Sequence, residues 1–293
     1  MPFDSATVIV LREPRPGVCE VLLLERHAES RAFAGAHVFP GGRVDPDDRA
    51  DLFATVSPGL SPEAAVQRLG ETLPPTAALA FWIAAIRELF EEAGVLLAAR
   101  GGTPLDFHDT ACRDHFGTRR AALLAGSLSF TELIRCENLT LTTDELVYFS
   151  RWITPTNAPR RFDARFFVTR LPAGQEPLHD QRETISSIWH TPADALAGGE
   201  QGRLTLAPPT VRTLEDLREL GTVERILAAT RSRPFPPILP KVVAVAGRMT
   251  ILYPGDAAYT AVGAHSTLAN DPPGGRNRVV LDGGRWHGRR DDP

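Results

Sequence analysis

Apolar positions run almost unbroken through Ala6–Leu11 and Cys19–Glu25, and the turn-forming stretch Arg12-Glu13-Pro14-Arg15-Pro16-Gly17 separates them. Short apolar runs bounded by Pro and Gly predict two paired strands. A polar, Gly-containing stretch leads to Phe39-Pro40-Gly41-Gly42, and residues 43–76 are rich in Asp, Pro, Ser and Gly. Within them Ser61 and Pro62 predict an N-cap and a first helical residue, with a stop near Gly70. From Thr76 to Ala93 apolar residues fall at 79, 82, 83, 86, 89 and 90, the repeat of a helix, and Gly94 is its natural stop. Phe81 and Trp82 are expected in the core.

Further on, Phe130–Cys136 predicts a helix and Val147–Ile153, Ala164–Leu171 and Thr184–His190 predict strands. Pro192–Ala197 predicts a short helix and Thr210–Ala229 one longer helix, with Pro208-Pro209-Thr210 as its turn and cap. A Pro-rich connector, RPFPPILP, precedes a β-rich tail with strands in Lys241–Tyr253 and Arg278–Trp286. Hairpin turns are expected at Pro254-Gly255-Asp256 and Asp282-Gly283-Gly284. Strands mixed with helices predict an α/β or α+β sandwich. The expected division is a main domain at 1–232, with an excursion at about 49–76, and an extension at 233–293.

Composition narrows the classes. With 36 acidic and 32 basic residues the net charge is −4, which argues against a nucleic-acid binder. Lys241 is the single lysine, so positive charge is almost entirely Arg. Cys19, Cys112 and Cys136 have no metal-ligand spacing and fit a reduced, cytoplasmic protein. No apolar run has the length of a membrane span, so no membrane partner is expected. The eight histidines form no close zinc-type set, and no Ser–His–Asp set or phosphate-binding Gly loop is legible. His37 reads as a structural loop histidine.

The apolar helix contains one anomaly. Glu88, Glu91 and Glu92 stand three and four apart, hence on one face. Each like-charge pair costs a helix about 0.2–0.5 kcal/mol, and an unpaired buried carboxylate costs more. A solvated polar face is the ordinary explanation. Arg87 beside the cluster and Gly94 after it favour a binding site, and a hard divalent cation would convert repulsion into binding.

Arg87-Glu88-Leu89-Phe90-Glu91-Glu92-Ala93-Gly94-Val95 resembles the second half of the Nudix box, and Gly42 to Asp48 resembles the first. Asp48 falls where that family has its first Glu. Arg87 comes 39 positions after Asp48 rather than eight, an insertion of about 31 residues, and Leu79 stands eight before Arg87. A split box with FPGG upstream is similar to the coenzyme A diphosphatase branch of the family. The similarity extends over about residues 5–220 through RFDARFFVTRLP, Glu183, Trp189 and LAPPT. Upstream, Arg26, Arg31, Gly35 and Phe39 keep the spacing of that branch's coenzyme A signature, with Leu24 replacing its Thr and His27 its Ser or Ala. Arg forks suit phosphate oxygens.

The resemblance implies a Nudix-type α/β/α sandwich with a mixed central sheet. It implies Mg²⁺- or Mn²⁺-dependent hydrolysis of a diphosphate in a small-molecule nucleotide. Glu88, Glu91, Glu92 and the Gly41 carbonyl would be metal ligands, and Arg87 would orient a carboxylate. Glu88 or Glu183 would be the general base, with Glu145 and Asp180 as weaker alternatives. Coenzyme A or acyl-coenzyme A is the leading substrate, and ADP-ribose, NADH or another nucleoside diphosphate derivative is the alternative. A non-catalytic nucleotide sensor is the reading from another class. The insertion leaves a lid, a substrate-selecting wall and a homodimer contact all open.

Overall fold

The computed structural model describes all residues except 28, 30–34, 157, 181–183, 233–235, 264–265, 271–276 and 290–293. A seven-stranded mixed sheet forms its centre. Strands β1 (Phe3–Arg12) and β2 (Glu20–Arg26) make the expected antiparallel hairpin, and β3 (His37–Val38) and β4 (Gly41–Arg43) attach to β2 and β1. Helices α1 (Leu52–Val56), α2 (Pro62–Leu69) and α3 (Pro75–Ala93) follow. Next come β5 (Ala98–Arg100), β6 (Thr103–Pro104), α4 (Thr110–Leu124), α5 (Phe130–Cys136) and β7 (Leu139–Leu141). The sheet is completed by β8 (Val147–Ile153), β9 (Phe162–Arg170) and β10 (Thr184–His190), in the order β10-β2-β1-β9-β8. The β1–β9 pair is parallel and its flanking pairs antiparallel.

Both faces of the sheet are covered, which is why β1 and β2 read as continuous apolar runs. Val8, Val10, Leu22 and Leu24 face α3, where Phe81, Trp82 and Phe90 fill one core. Ile9, Leu11, Val21 and Leu23 point the other way, as the pleat requires. There they meet Leu196 of α6 (Pro192–Glu200), Val211 and Leu214 of α7 (Pro208–Leu220), and Ile226 of α8 (Val223–Ser232). The result is an α/β/α sandwich.

Helix α3 is held at both ends by local chemistry. Pro75 opens it, and Gly94 in the left-handed region closes it with its N–H on the Phe90 carbonyl. The Trp82 indole N–H donates to the Leu146 carbonyl at 3.1 Å. In α2, Ser61 accepts the Ala64 N–H and Gly70 is left-handed, as the sequence predicts.

The insertion folds as α1 and α2, and α2 packs on α3. Glu71, just beyond α2, bridges Arg151 at 2.8 Å and Arg165 at 2.5 Å. Arg165 is fully buried, also meets Asp4 and Asp163, and lies over the Phe81 ring at 4.1 Å. The insertion is thereby tied to one end of the central sheet.

Several expectations need correction. The single helix expected over Thr210–Ala229 is two, α7 and α8, because Gly221 at φ 82° ends the first. Helix α4 and the small β6-β5-β7 sheet were not expected. In the tail, β11 (Lys241–Val245) and β12 (Arg248–Leu252) turn at Ala246-Gly247, both with positive φ. Pro254-Gly255-Asp256 makes no hairpin; β13 (Thr267–Leu268) runs parallel to β11 instead. The expected Asp282-Gly283-Gly284 turn does join β14 (Arg278–Asp282) and β15 (Arg285–Arg289). Tyr253, Val279 and Trp286 of the tail pack into the core shared with α7. At its centre Asp256 grips Arg278 through both carboxylate oxygens, with both residues buried.

Candidate active site

The two halves of the split motif come together. Asp48 sits in a short 3₁₀ turn after β4, where its side chain accepts the Asp45 N–H at 2.8 Å. Arg87, from the penultimate turn of α3, donates Nε and Nη2 to the two Asp48 carboxylate oxygens, each at 2.9 Å. Nη2 also donates to the Arg43 carbonyl at 2.8 Å. The fork-on-carboxylate geometry is the strong, directional form of this pair. Asp48 therefore anchors Arg87 across the insertion, and Leu79 on the helix side is simply core.

The remaining Arg87 nitrogen, Nη1, reaches Glu88 Oε1 at 2.9 Å and Glu91 Oε2 at 3.2 Å. Glu92 accepts the Gly41 N–H at 2.9 Å. Gly42 has no side chain for a physical reason, since a methyl there would lie 2.4 Å from Glu88 Oε1. At Gly41 a methyl would lie 2.4 Å from the Ala6 carbonyl. Gly42 thus leaves the Glu88 carboxylate its present place beside the strand, and Gly41 lets β4 lie close on β1.

One guanidinium hydrogen-bonds three carboxylates, and a fourth, Asp45, lies 3.7 Å away. Burial, then the charge of Glu91, pushes Glu88 up to about 7 against the pull of Arg87. Burial also raises Glu91 and Asp48. Burial works against the Arg87 charge, but the Asp48 hydrogen bonds and the charges of Glu88, Asp48 and Glu91 more than offset it. The cluster has an excess of negative charge that a cation would relieve.

Among the described residues, no group of three His, Cys, Asp or Glu side chains is arranged to hold a metal ion as it stands. The reason lies in the contacts above: Arg87 turns Glu88 and Glu91 toward itself, and Gly41 holds Glu92. Arg87 takes one oxygen of each carboxylate, and a carboxylate has two. The donor set itself, all carboxylate oxygens with unbalanced charge, fits a hard divalent cation.

Glu88 and Glu92 open into a cleft of about 500 Å³. Its walls include Arg26, Phe39, Arg43, Trp152, Arg160 and Phe166, with Pro209 and Thr210 at one side. The Arg43 guanidinium lies over the Phe3 ring at 4.0 Å. A larger hollow, about 870 Å³, is lined by Gln67, Glu71, Tyr148, Arg151 and Pro236 and holds none of the three glutamates. Among the described residues, none of the insertion lines this cleft.

Of the residues singled out in the sequence, Arg26 and Phe39 line the cleft, as Gly41, Glu88 and Glu92 do. Gly35 lies in a turn at φ 66° and is not part of its wall. Arg31 and Glu183 lie outside the described residues. Asp180 accepts the Thr184 N–H and hydroxyl and so has a structural task. Glu145 faces a different hollow, beside Arg170 and Glu224. His37 is buried, with its N–H on the Thr205 carbonyl.

Sequence reasoning missed Arg120. This buried residue of α4 donates Nε and Nη2 to the Glu91 carbonyl at 3.0 and 2.8 Å. It caps the last turn of α3 between two of the glutamates, where a cation complements the helix dipole. Trp152, Arg160 and Phe166 were also missed as cleft walls.

A mixed sheet between helix layers, with a glutamate-bearing helix against a Gly-Gly strand, defines a Nudix hydrolase scaffold. The chain belongs to the NUDT19 Nudix domain family, which matches residues 4–217. It is 30% identical to the acyl-coenzyme A diphosphatase NUDT19 of Gallus gallus, covering 85% of this chain and 75% of that one. Its identity to the Homo sapiens protein of the same name is 29%, over 85% of this chain and 74% of the relative. Among solved structures, a Nudix hydrolase from Alicyclobacillus acidocaldarius superposes with a TM-score of 0.58 at 26% identity, covering 81% of this chain and 99% of that one. Nudix hydrolases generally need divalent metal ions.

Proposed function

We propose that this enzyme hydrolyses the diphosphate bond of coenzyme A or acyl-coenzyme A, giving 3′,5′-ADP and 4′-phosphopantetheine or its acyl form. The observation that carries the reading is the single cleft lined by Glu88 and Glu92 together with Arg26, Arg43 and Arg160. Carboxylates and guanidiniums lining one cleft suit a diphosphate bound between a cation and hydrogen-bond forks. The names of the avian and human relatives support the acyl-coenzyme A assignment.

In this reading Glu88, Glu91, Glu92 and the Gly41 carbonyl hold Mg²⁺ or Mn²⁺. When bound, the ion supplies charge neutralisation for the diphosphate and activation of the attacking water. Arg87 keeps the glutamates oriented and is itself fixed by Asp48. Glu88, which lines the cleft, takes the proton from water. Arg26 and Phe39 bind the substrate, with Gly35 permitting the turn that leads to them, and Arg31 belongs to the same signature. Glu183 is the second candidate for the base. The protein acts in the cytoplasm on a small-molecule nucleotide.

The test is product analysis by mass spectrometry. Purified protein is incubated with Mg²⁺ or Mn²⁺ and, separately, coenzyme A, an acyl-coenzyme A, ADP-ribose and NADH. Formation of 3′,5′-ADP from the first two is expected. Cleavage of ADP-ribose or NADH alone would discard the coenzyme A assignment, and no metal-dependent product at all would favour a sensor.

A further inference from the structure

The family match ends at residue 217, yet the chain beyond it reaches the back of the catalytic cleft. Tyr253 follows directly on β12 and is buried. Its ring stands edge-on to Trp152, with centroids 5.5 Å apart and planes at 87°. Its hydroxyl donates to the Pro208 carbonyl at 3.1 Å. Trp152 lines the cleft, and so do Pro209 and Thr210, the next two residues after Pro208.

A second contact from the same region acts on the same tryptophan. The Ile238 N–H donates to the Arg151 carbonyl at 2.7 Å, and the Ile153 N–H donates to the Ile238 carbonyl at 2.9 Å. The backbone on both sides of Trp152 is therefore clamped from the connector, while the ring is braced by Tyr253. On its other side Trp152 meets Phe166 at 6.2 Å, and Phe166 meets Phe39 edge-on at 6.4 Å.

We propose that the C-terminal extension is part of the substrate-recognition apparatus, with Tyr253 as a positioning residue that fixes Trp152 and the Pro208–Thr210 turn as a platform for the aromatic base of a nucleotide. A wall of aromatic rings offers π faces and edges to a planar heterocycle with little sequence of hydrogen bonds required. Tyr253 contributes through two others: its ring limits the tilt of Trp152, and its hydroxyl adds a hydrogen bond to the Pro208 carbonyl, holding the first turn of α7 against the extension. The inference rests on reading the cleft as a nucleotide site.

The experiment compares binding of ADP and of inorganic diphosphate to the full chain by calorimetry, for wild type, Tyr253→Phe and Tyr253→Leu. Diphosphate has no base, so it reports the phosphate-binding part alone. Tyr253→Leu is expected to weaken ADP about tenfold and Tyr253→Phe about threefold, with diphosphate unchanged within about twofold. Combining Tyr253→Leu with Trp152→Leu should add little to Trp152→Leu alone, since the two act as one unit. If Tyr253→Leu fails to fold, the Phe variant, which keeps the ring, carries the test. Equal weakening of both ligands, unchanged ADP affinity in the folded variants, or no ADP binding by the wild type would overturn the proposal. Wild-type turnover of coenzyme A is measured in parallel. Selective loss of ADP binding without coenzyme A cleavage would sink the substrate assignment and leave this inference standing.

Discussion

Arg87 and Asp48 lie 39 positions apart in the chain, and Arg87 nevertheless grips both Asp48 carboxylate oxygens at 2.9 Å. The pair closes the split motif and leaves one Arg87 nitrogen to organise Glu88 and Glu91.

Removing Asp48 should therefore act on stability and catalysis together. Asp48→Ala leaves a buried guanidinium without its main partner, a loss of about 3–5 kcal/mol. Denaturant titration measures that loss, and a shift under about 1 kcal/mol would show the pair to be incidental. Activity per folded molecule should fall as well, because Arg87 loses the contact that aims it.

Gly42→Ala tests the close approach of strand and helix. A methyl 2.4 Å from Glu88 Oε1 forces the carboxylate aside rather than moving backbone. The expected result is a loss of kcat of at least about tenfold with a stability change within about 1 kcal/mol. Unchanged kcat would mean that Glu88 has no fixed working position.

The raised Glu88 predicts a pH dependence in the metal-free protein. Its folded value of about 7 stands above its ordinary value of 4.5, so it favours folding when protonated. That contribution is complete below about pH 4.5 and is lost as pH rises through about 7. After chelation, the stability difference between Glu88→Gln and wild type should grow across this window by on the order of a few kcal/mol. Adding Mg²⁺ at pH 8 should restore stability to wild type and not to the variant. A difference flat with pH would contradict the assignment of excess negative charge.

The insertion should matter for stability and not for substrate affinity. Glu71 ties it to Arg151 and Arg165, while the cleft contains none of its residues. Glu71→Ala is expected to cost about 3 kcal/mol and to leave KM within about twofold. A tenfold KM change with intact stability would return the insertion to the substrate site.

How much of this was legible depended on whether the signal was local. The Ser61 cap, the Gly70 and Gly94 stops and the apolar repeat of α3 are decided within a few residues, and all are found where the sequence puts them. Helix α4 escaped because only Phe116, Arg120 and Leu123 of its residues are buried, too thin a stripe to read as a helix face. Helices α7 and α8 merged in the reading because apolar spacing continues across Gly221, and a single glycine decides the break. The three glutamates declared themselves by spacing. Trp152 and Phe166 did not, because which face of a strand lines a cleft is set by its neighbours in the sheet. Arg120 is similarly invisible, since its partner is a backbone carbonyl in another helix.

The central claim is that the glutamate face of α3 is a working metal site, and Glu92→Gln tests it most directly. The substitution keeps shape and can keep the contact with the Gly41 N–H, while removing one charge. Coenzyme A cleavage should be measured at limiting Mg²⁺ beside the melting temperature of the same preparation. Loss of at least about a hundredfold in turnover, with melting within a few degrees of wild type, is the predicted result. Near-normal turnover in the folded variant would contradict the account.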